Sequence, residues 1–266
     1  MGLLGLLIGS FLSVVVVRLP RMLARQWGEV PPPTHSPLPE RYNLALPASH
    51  APCCGQALRW HHNLPVISYL LLRGRCGFCG ARIGLMYPAL ELSTAVVFAV
   101  CGWRFGAGIT ALCWAGLCAA LLALAWIDWQ TTLLPDDITL PLLWAGLVAS
   151  ATGITLTPLH SAVWGVVAGY VSLWLVYWAF KLITGKEGMG YGDFKLFAAL
   201  GAWFGWTLLV PIILWSSIVG AVVGIAMKYT VGLREGGVVP FGPFLAGAGL
   251  LAVLAGPHKL MAWTGL

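Results

Sequence analysis

The sequence predicts an all-α polytopic membrane protein of about eight transmembrane helices with a small cytoplasmic loop domain that carries cysteines. Three observations lead there. Hydrophobic residues make up 59% of the 266 and charged residues only 9%, far more apolar than a soluble domain of this length needs. The mean hydropathy is +0.85. The 14 Trp and 17 Pro also suit a bilayer, where Trp collects at the interfaces and Pro is tolerated when neighbouring helices re-satisfy the backbone.

The first apolar run is 1–17, broken only by Ser10 and Ser13 and followed at once by Arg18 and Arg21. A cleaved signal peptide carries its positive charge ahead of the apolar core, so this opposite polarity predicts a retained first span with its N-terminus outside. From 18 to 84 the chain is polar, basic and rich in proline. Pro31, Pro32 and Pro33, with Thr34, Ser36, Pro37 and Pro39, predict an extended connector, and Cys53, Cys54, Cys76 and Cys79 follow it. This stretch is the one sizeable extramembrane module.

The remaining chain, 85–266, reads as a membrane core of about seven helices, with apolar runs at 87–103, 109–127, 138–152, 159–183, 194–204, 208–229 and 244–255. Several are shorter than the ~20 residues an upright span needs, so they must tilt or borrow flanking residues. Charge supports the count. With the N-terminus outside, all Lys and Arg except Arg104 and Lys259 fall on the inner side, as the positive-inside rule requires. The net charge of +6 is therefore a topology signal with some attraction for anionic membrane lipid. It is not a nucleic-acid footprint, because the basic residues are dispersed and accompany no binding motif.

The same topology brings Asp128, at the end of the third run, and Asp193, at the start of the sixth, to the cytoplasmic membrane boundary. Ionisable groups at the edge of hydrocarbon point to function. Two carboxyl groups close enough to share a proton divide the work of acid and base: one takes a proton from water, and the other polarises a peptide carbonyl and helps the amine leave. Such a pair needs no metal for proteolysis. Gly190 and Gly192, just before Asp193, suit close approach of a substrate backbone and a positive φ. The plainer reading for an Asp at a helix start is an N-cap, which applies to Asp193 and more strongly to Asp136 and Asp137. Asp128 sits at a helix C-terminus, where the dipole disfavours an anion and capping explains nothing. Glu91 reads as structural, paired with an arginine such as Arg82, with contact to the site as the alternative, and Lys186 and Glu187 read as solvated. The glycine cluster lacks the spacing of a nucleotide loop.

The segment Gly190-Tyr191-Gly192-Asp193 resembles the GxGD motif of the bacterial type IV prepilin peptidases, which are leader peptidases and N-methyltransferases. Asp128, followed by Leu134-Pro135-Asp136, matches that family's first catalytic aspartate. The likeness extends through Gly9-Ser10-Phe11-Leu12, Arg18-Leu19-Pro20, Tyr87-Pro88, Glu91-Leu92 and Pro240-Phe241-Gly242-Pro243. It implies Asp128 and Asp193 as the catalytic pair in the inner membrane, with the active site on the cytoplasmic side. The implied substrates are prepilins or type II secretion pseudopilins with a short basic leader, cut after Gly and usually before Phe. The implied second step is methylation of the new N-terminus from S-adenosylmethionine. No glycine-rich Rossmann signature marks a methyl-donor site.

Cys101, Cys113 and Cys118 lie in apolar runs and read as small core residues. Cys76-Gly77-Phe78-Cys79 is a CxxC, and a cytoplasmic location favours metal over disulfide. Where the family has Cys-Pro-x-Cys, this chain has Ala51-Pro52-Cys53-Cys54. Cys54, Cys76 and Cys79 carry over to a structural zinc site, and the fourth ligand is Cys53 or one of His50, His61 and His62. A transporter, a non-catalytic assembly subunit, and a peptidase without the methylation step are the other readings. The first is disfavoured because both aspartates lie at one membrane edge instead of the midplane.

Overall fold

A computed structural model describes residues 1–29, 41–230 and 239–265. The proline-rich connector and Arg234 lie outside those residues. The described residues are helical, with two isolated β-bridges and no strand among them. Among the described residues five helices are long and apolar enough to cross a membrane: Gly2–Gln26, Met86–Phe105, Ile109–Thr131, Leu159–Thr184 and Trp206–Tyr229. The other three predicted spans correspond to helices of 16, 14 and 14 residues, at Asp136–Ala151, Tyr191–Phe204 and Gly242–Ala255.

The chain divides into two compact units, Met1–Ala107 and Gly108–Leu266. In the first, helix α1 (Gly2–Gln26) does not stop at Val17 but continues through Arg18 and Pro20. It packs on α3 (Met86–Phe105), and a short helix α2 (Ile67–Leu71) lies in the loop module between them. Close approach of α1 and α3 depends on two glycines one turn apart. A β-carbon at Gly5 would stand 2.7 Å from Ala95 Cα, and one at Gly9 2.7 Å from Glu91 Cα. This is the small-residue seam that lets helices associate where lipid removes the hydrophobic drive. Glu91 is buried on α3 and accepts a hydrogen bond from the Val66 backbone N–H at 2.7 Å. Its partners are therefore this peptide group and the Ser10 hydroxyl, not Arg82.

The second unit contains α4 (Ile109–Thr131), α5 (Asp136–Ala151), α6 (Leu159–Thr184), α7 (Tyr191–Phe204), α8 (Leu209–Thr230), α9 (Gly242–Ala255) and α10 (Pro257–Thr264). Its centre is the short α7, in which every residue from Asp193 to Phe204 except Lys195 is buried. Helices α5, α6, α8 and α9 all pack against it. Again glycine sets the distances. Gly165 and Gly201 meet backbone to backbone, and a β-carbon at Gly169 would stand 2.8 Å from the Phe197 carbonyl. On the other side Gly146 of α5 receives the Trp203 ring, whose Nε1–H donates to the Leu142 carbonyl at 2.9 Å. Because α7 is enclosed by four helices, a carboxylate at its start is necessarily taken out of solvent.

Candidate active site and cysteine cluster

Helix α4 ends at Thr131, and Thr132 adopts a left-handed conformation (φ 55) so that its N–H can bond the Asp128 carbonyl at 2.8 Å. This turn sends the chain into the 132–135 loop and leaves the Asp128 side chain inside the bundle, 5% exposed. Helix α7 is capped by Gly190, so Asp193 falls in its first turn, 7% exposed, where its carboxylate accepts a hydrogen bond from the Gly190 backbone N–H. Asp193 is thus not the N-cap residue itself but an acidic residue of the first turn that bonds back to the cap. Asp193 Oδ1 has no hydrogen-bond partner among the described residues. The two carboxyl groups are near enough to act on each other electrostatically.

Two glycines hold this geometry. A β-carbon at Gly192 would stand 2.6 Å from Leu134 Cβ, and one at Gly242, the first residue of α9, would stand 2.6 Å from Asp128 Oδ2 and 3.1 Å from Leu134 Cδ1. Leu134 thus wedges between the start of α7 and the start of α9, beside both aspartates. Gly190 has φ −82, and Gly192 is absent from the positive-φ positions, so neither glycine serves to reach a left-handed conformation. Gly242 was not singled out from the sequence as part of the site. Its only signal there is its place in Pro240-Phe241-Gly242-Pro243.

Asp136, expected as a cap, pairs instead with Lys195 of α7 at 2.6 Å. The loop before Asp193 is also tied down: Glu187 accepts from Lys181 Nζ at 2.8 Å and from the Tyr177 hydroxyl at 3.2 Å, so it is not merely solvated. The Lys181 ammonium holds the exposed Glu187 carboxyl below its ordinary range. Tyr177, Tyr191 and Phe194 stack at centroid separations of 5.2 to 5.7 Å on the flank of Asp193.

In the first unit the four loop cysteines converge, with Cys53, Cys54, Cys76 and Cys79 sulfurs all within 4.8 Å of one another. The two halves are built alike. In one, Cys76 N–H bonds the Ala81 carbonyl and Gly80 N–H bonds the Cys76 carbonyl. In the other, Ala51 N–H bonds the Gln56 carbonyl and Gly55 N–H bonds the Ala51 carbonyl. Gly55 and Gly80 share a φ near 70, and bridges at His50–Ala57 and Arg75–Arg82 close each turn. Ala51 therefore stands where Cys76 stands in the second knuckle. Cys53 comes from two residues further along and reaches the cluster, 3.1 Å from Cys79, while Cys54 lies 4.0 Å from Cys76. Backbone N–H bonds, first from Cys79 and then from Phe78, draw the Cys76 thiol down to about 7, and the hydrogen bond with Cys79 pushes Cys53 up to about 12. His61 and His62 stack on each other and His62 on Phe78 beside the cluster. The sulfur set could hold a metal ion without them.

Comparison with known proteins agrees with this architecture. Residues 3–105 match the Bacterial Peptidase A24 N-terminal domain, and residues 115–225 match the Type IV leader peptidase family. A prepilin leader peptidase/N-methyltransferase of Pseudomonas putida is 52% identical over 260 residues, covering 95% of this chain and 88% of the relative. The chain belongs to the type IV leader peptidase family. Proteins of the same name from Burkholderia pseudomallei and Pseudomonas aeruginosa are each 49% identical, covering 95% and 96% of this chain and 84% and 89% of theirs. No solved structure matches the chain.

Proposed function

We propose that this chain is a membrane-embedded aspartyl endopeptidase that removes the leader from prepilins or pseudopilins and then methylates the new N-terminus with S-adenosylmethionine as donor. The observation that carries the reading is the pairing of two buried aspartates, Asp128 from the end of α4 and Asp193 from the start of α7, against one Leu134–Gly242 shoulder. One carboxylate takes a proton from water as its oxygen adds to the scissile carbonyl carbon, while the other, protonated, hydrogen-bonds the carbonyl oxygen. As the tetrahedral intermediate collapses, the C–N bond breaks and the amine nitrogen receives a proton. Burial strengthens each of these interactions. Gly190, open beside Asp193, leaves room for the substrate backbone.

The topology proposed with this reading has eight spans in the inner membrane, with the N-terminus outside and the aspartates at the cytoplasmic edge, where a leader lying in the cytoplasm meets the apolar helix that follows it. The functional division is a first span at 1–17, a loop domain at 18–84 and a protease core at 85–266. The loop domain holds a structural zinc on Cys53, Cys54, Cys76 and Cys79. Thiolates at a Zn–S distance of about 2.3 Å stand about 3.8 Å apart around a tetrahedral ion, and the pair separations of 3.1 and 4.0 Å bracket that value. The ion would tie the two knuckles together.

Intact-mass analysis of a purified prepilin, incubated with the protein in lipid with and without S-adenosylmethionine, tests the reading. Leader loss followed by one added methyl mass is expected. An untouched prepilin would overturn it.

A further inference from the structure

Arg18 of α1 is 5% exposed and carries a full positive charge. A buried guanidinium is normally matched by a carboxylate, because an unpaired buried ion loses its hydration with nothing to replace it. Here Nη1 donates to the Asn43 carbonyl at 3.0 Å, Nη2 reaches the Ala48 carbonyl at 3.5 Å, and the Tyr42 ring lies 5.7 Å away. Neither of the two ion pairs among the described residues involves Arg18. A guanidinium has five N–H donors in a fork, and among the described residues that fork meets two neutral carbonyls and no carboxylate.

The same side chain lines a cavity of about 260 Å³ between α1 and the loop. Ser10, Ser49 and Asn63 are the other polar residues of its wall, and the remaining seven, Phe11 and Val14 among them, are apolar. All of these residues lie in the N-terminal unit.

We propose that this cavity is the methyl-donor site, with Arg18 receiving the carboxylate of S-adenosylmethionine. The inference rests on the methyltransferase reading above. A planar fork matches a carboxylate two-point. The ammonium and ribose hydroxyls of the donor find partners in Ser10, Ser49 and Asn63, and its adenine ring finds an apolar face in Phe11 and Val14. The competing small ligand for a buried arginine beside a membrane helix is a phospholipid phosphate.

The test uses the full chain in nanodiscs of phosphatidylcholine alone or with phosphatidylglycerol. Cleavage and methylation of a prepilin are followed by intact mass, and binding of S-adenosylhomocysteine is followed by calorimetry. For Arg18→Gln, cleavage stays within about twofold of wild type. Methylation and S-adenosylhomocysteine affinity fall roughly ten- to a hundredfold, the size expected for loss of a charge-assisted hydrogen bond. Ser49→Phe, which fills the cavity and leaves the carbonyl bonds of Arg18 in place, gives the same split and carries the test should Arg18→Gln also lose cleavage. Wild-type methylation and binding in both variants would overturn the site alone. Binding set by phosphatidylglycerol and not by the nucleoside would assign the cavity to lipid and overturn it too. A wild type that cleaves but neither methylates nor binds S-adenosylhomocysteine would overturn the methyltransferase reading and the site together.

Discussion

Gly242 and Asp128 are in contact across two helices: a β-carbon on the first would stand 2.6 Å from Oδ2 of the second. Asp128 is thus oriented by the start of α9 as well as by its own helix. Gly242→Ala is expected to lower kcat for leader cleavage about a hundredfold, the cost of displacing a reacting group by the order of 1 Å. KM should change little and helix content should be unaltered. Steady-state kinetics with a prepilin peptide decide it, and a normal kcat would remove Gly242 from the site.

Replacing either aspartate removes a group that no neighbour can supply. Asp128→Asn and Asp193→Asn should each lower cleavage by about 10²- to 10⁴-fold, the usual contribution of a positioned acid or base. Both should still methylate a pilin offered already trimmed. Comparable cleavage by either variant contradicts the paired mechanism.

The α6–α7 seam makes a prediction about stability. Gly165 and Gly201 touch through their backbones, so Gly165→Leu cannot be accommodated by rotating a side chain. It should destabilise the second unit by about 1–3 kcal/mol or more through overpacking, seen as a lower Tm in detergent. Gly116, whose β-carbon would meet nothing within 4 Å, is the control: Gly116→Ala should leave Tm unchanged.

The knuckle register predicts how the cysteines can be rearranged. Cys53→Ser should lower metal content and retention in a chelator titration. Ala51→Cys in the Cys53→Ser background puts a thiol at the position Cys76 holds in its own turn and should restore both. Metal analysis by mass spectrometry reads the result, and a double variant no better than Cys53→Ser would show that the first knuckle cannot present a thiol from position 51.

Metal retention should also depend on pH with a definite sign. Thiolates must lose their protons to bind, so affinity falls as pH falls. Cys76, drawn down to about 7, contributes its thiolate above that pH and loses it below. Cys53, pushed up to about 12 by its hydrogen bond with Cys79, must release a proton on binding at any neutral pH. Metal loss on lowering the pH from 8 to 6, with protons taken up, is the expected outcome; retention independent of pH would count against a four-thiolate site.

The sequence by itself determined the class of this protein, the order of its helices, the two aspartates and the cysteine cluster. Each of those signals is local. An apolar run, a GxGD tetrapeptide or a CxxC is legible within a dozen residues, since burial in lipid and knuckle spacing are imposed on neighbours in the chain.

Only the tertiary structure decided what crosses between distant segments. That Gly242 lies on Asp128, that Gly192 is needed to seat Leu134, and that Asp136 answers Lys195 depend on how α4, α5, α7 and α9 pack. Packing is set by side-chain volumes on several helices at once, which no single stretch encodes. The change at Ala51 is of the same kind: whether Cys53 could take the missing place turned on the path of a backbone turn, and the hydrogen bonds of that turn carry its sulfur into the cluster.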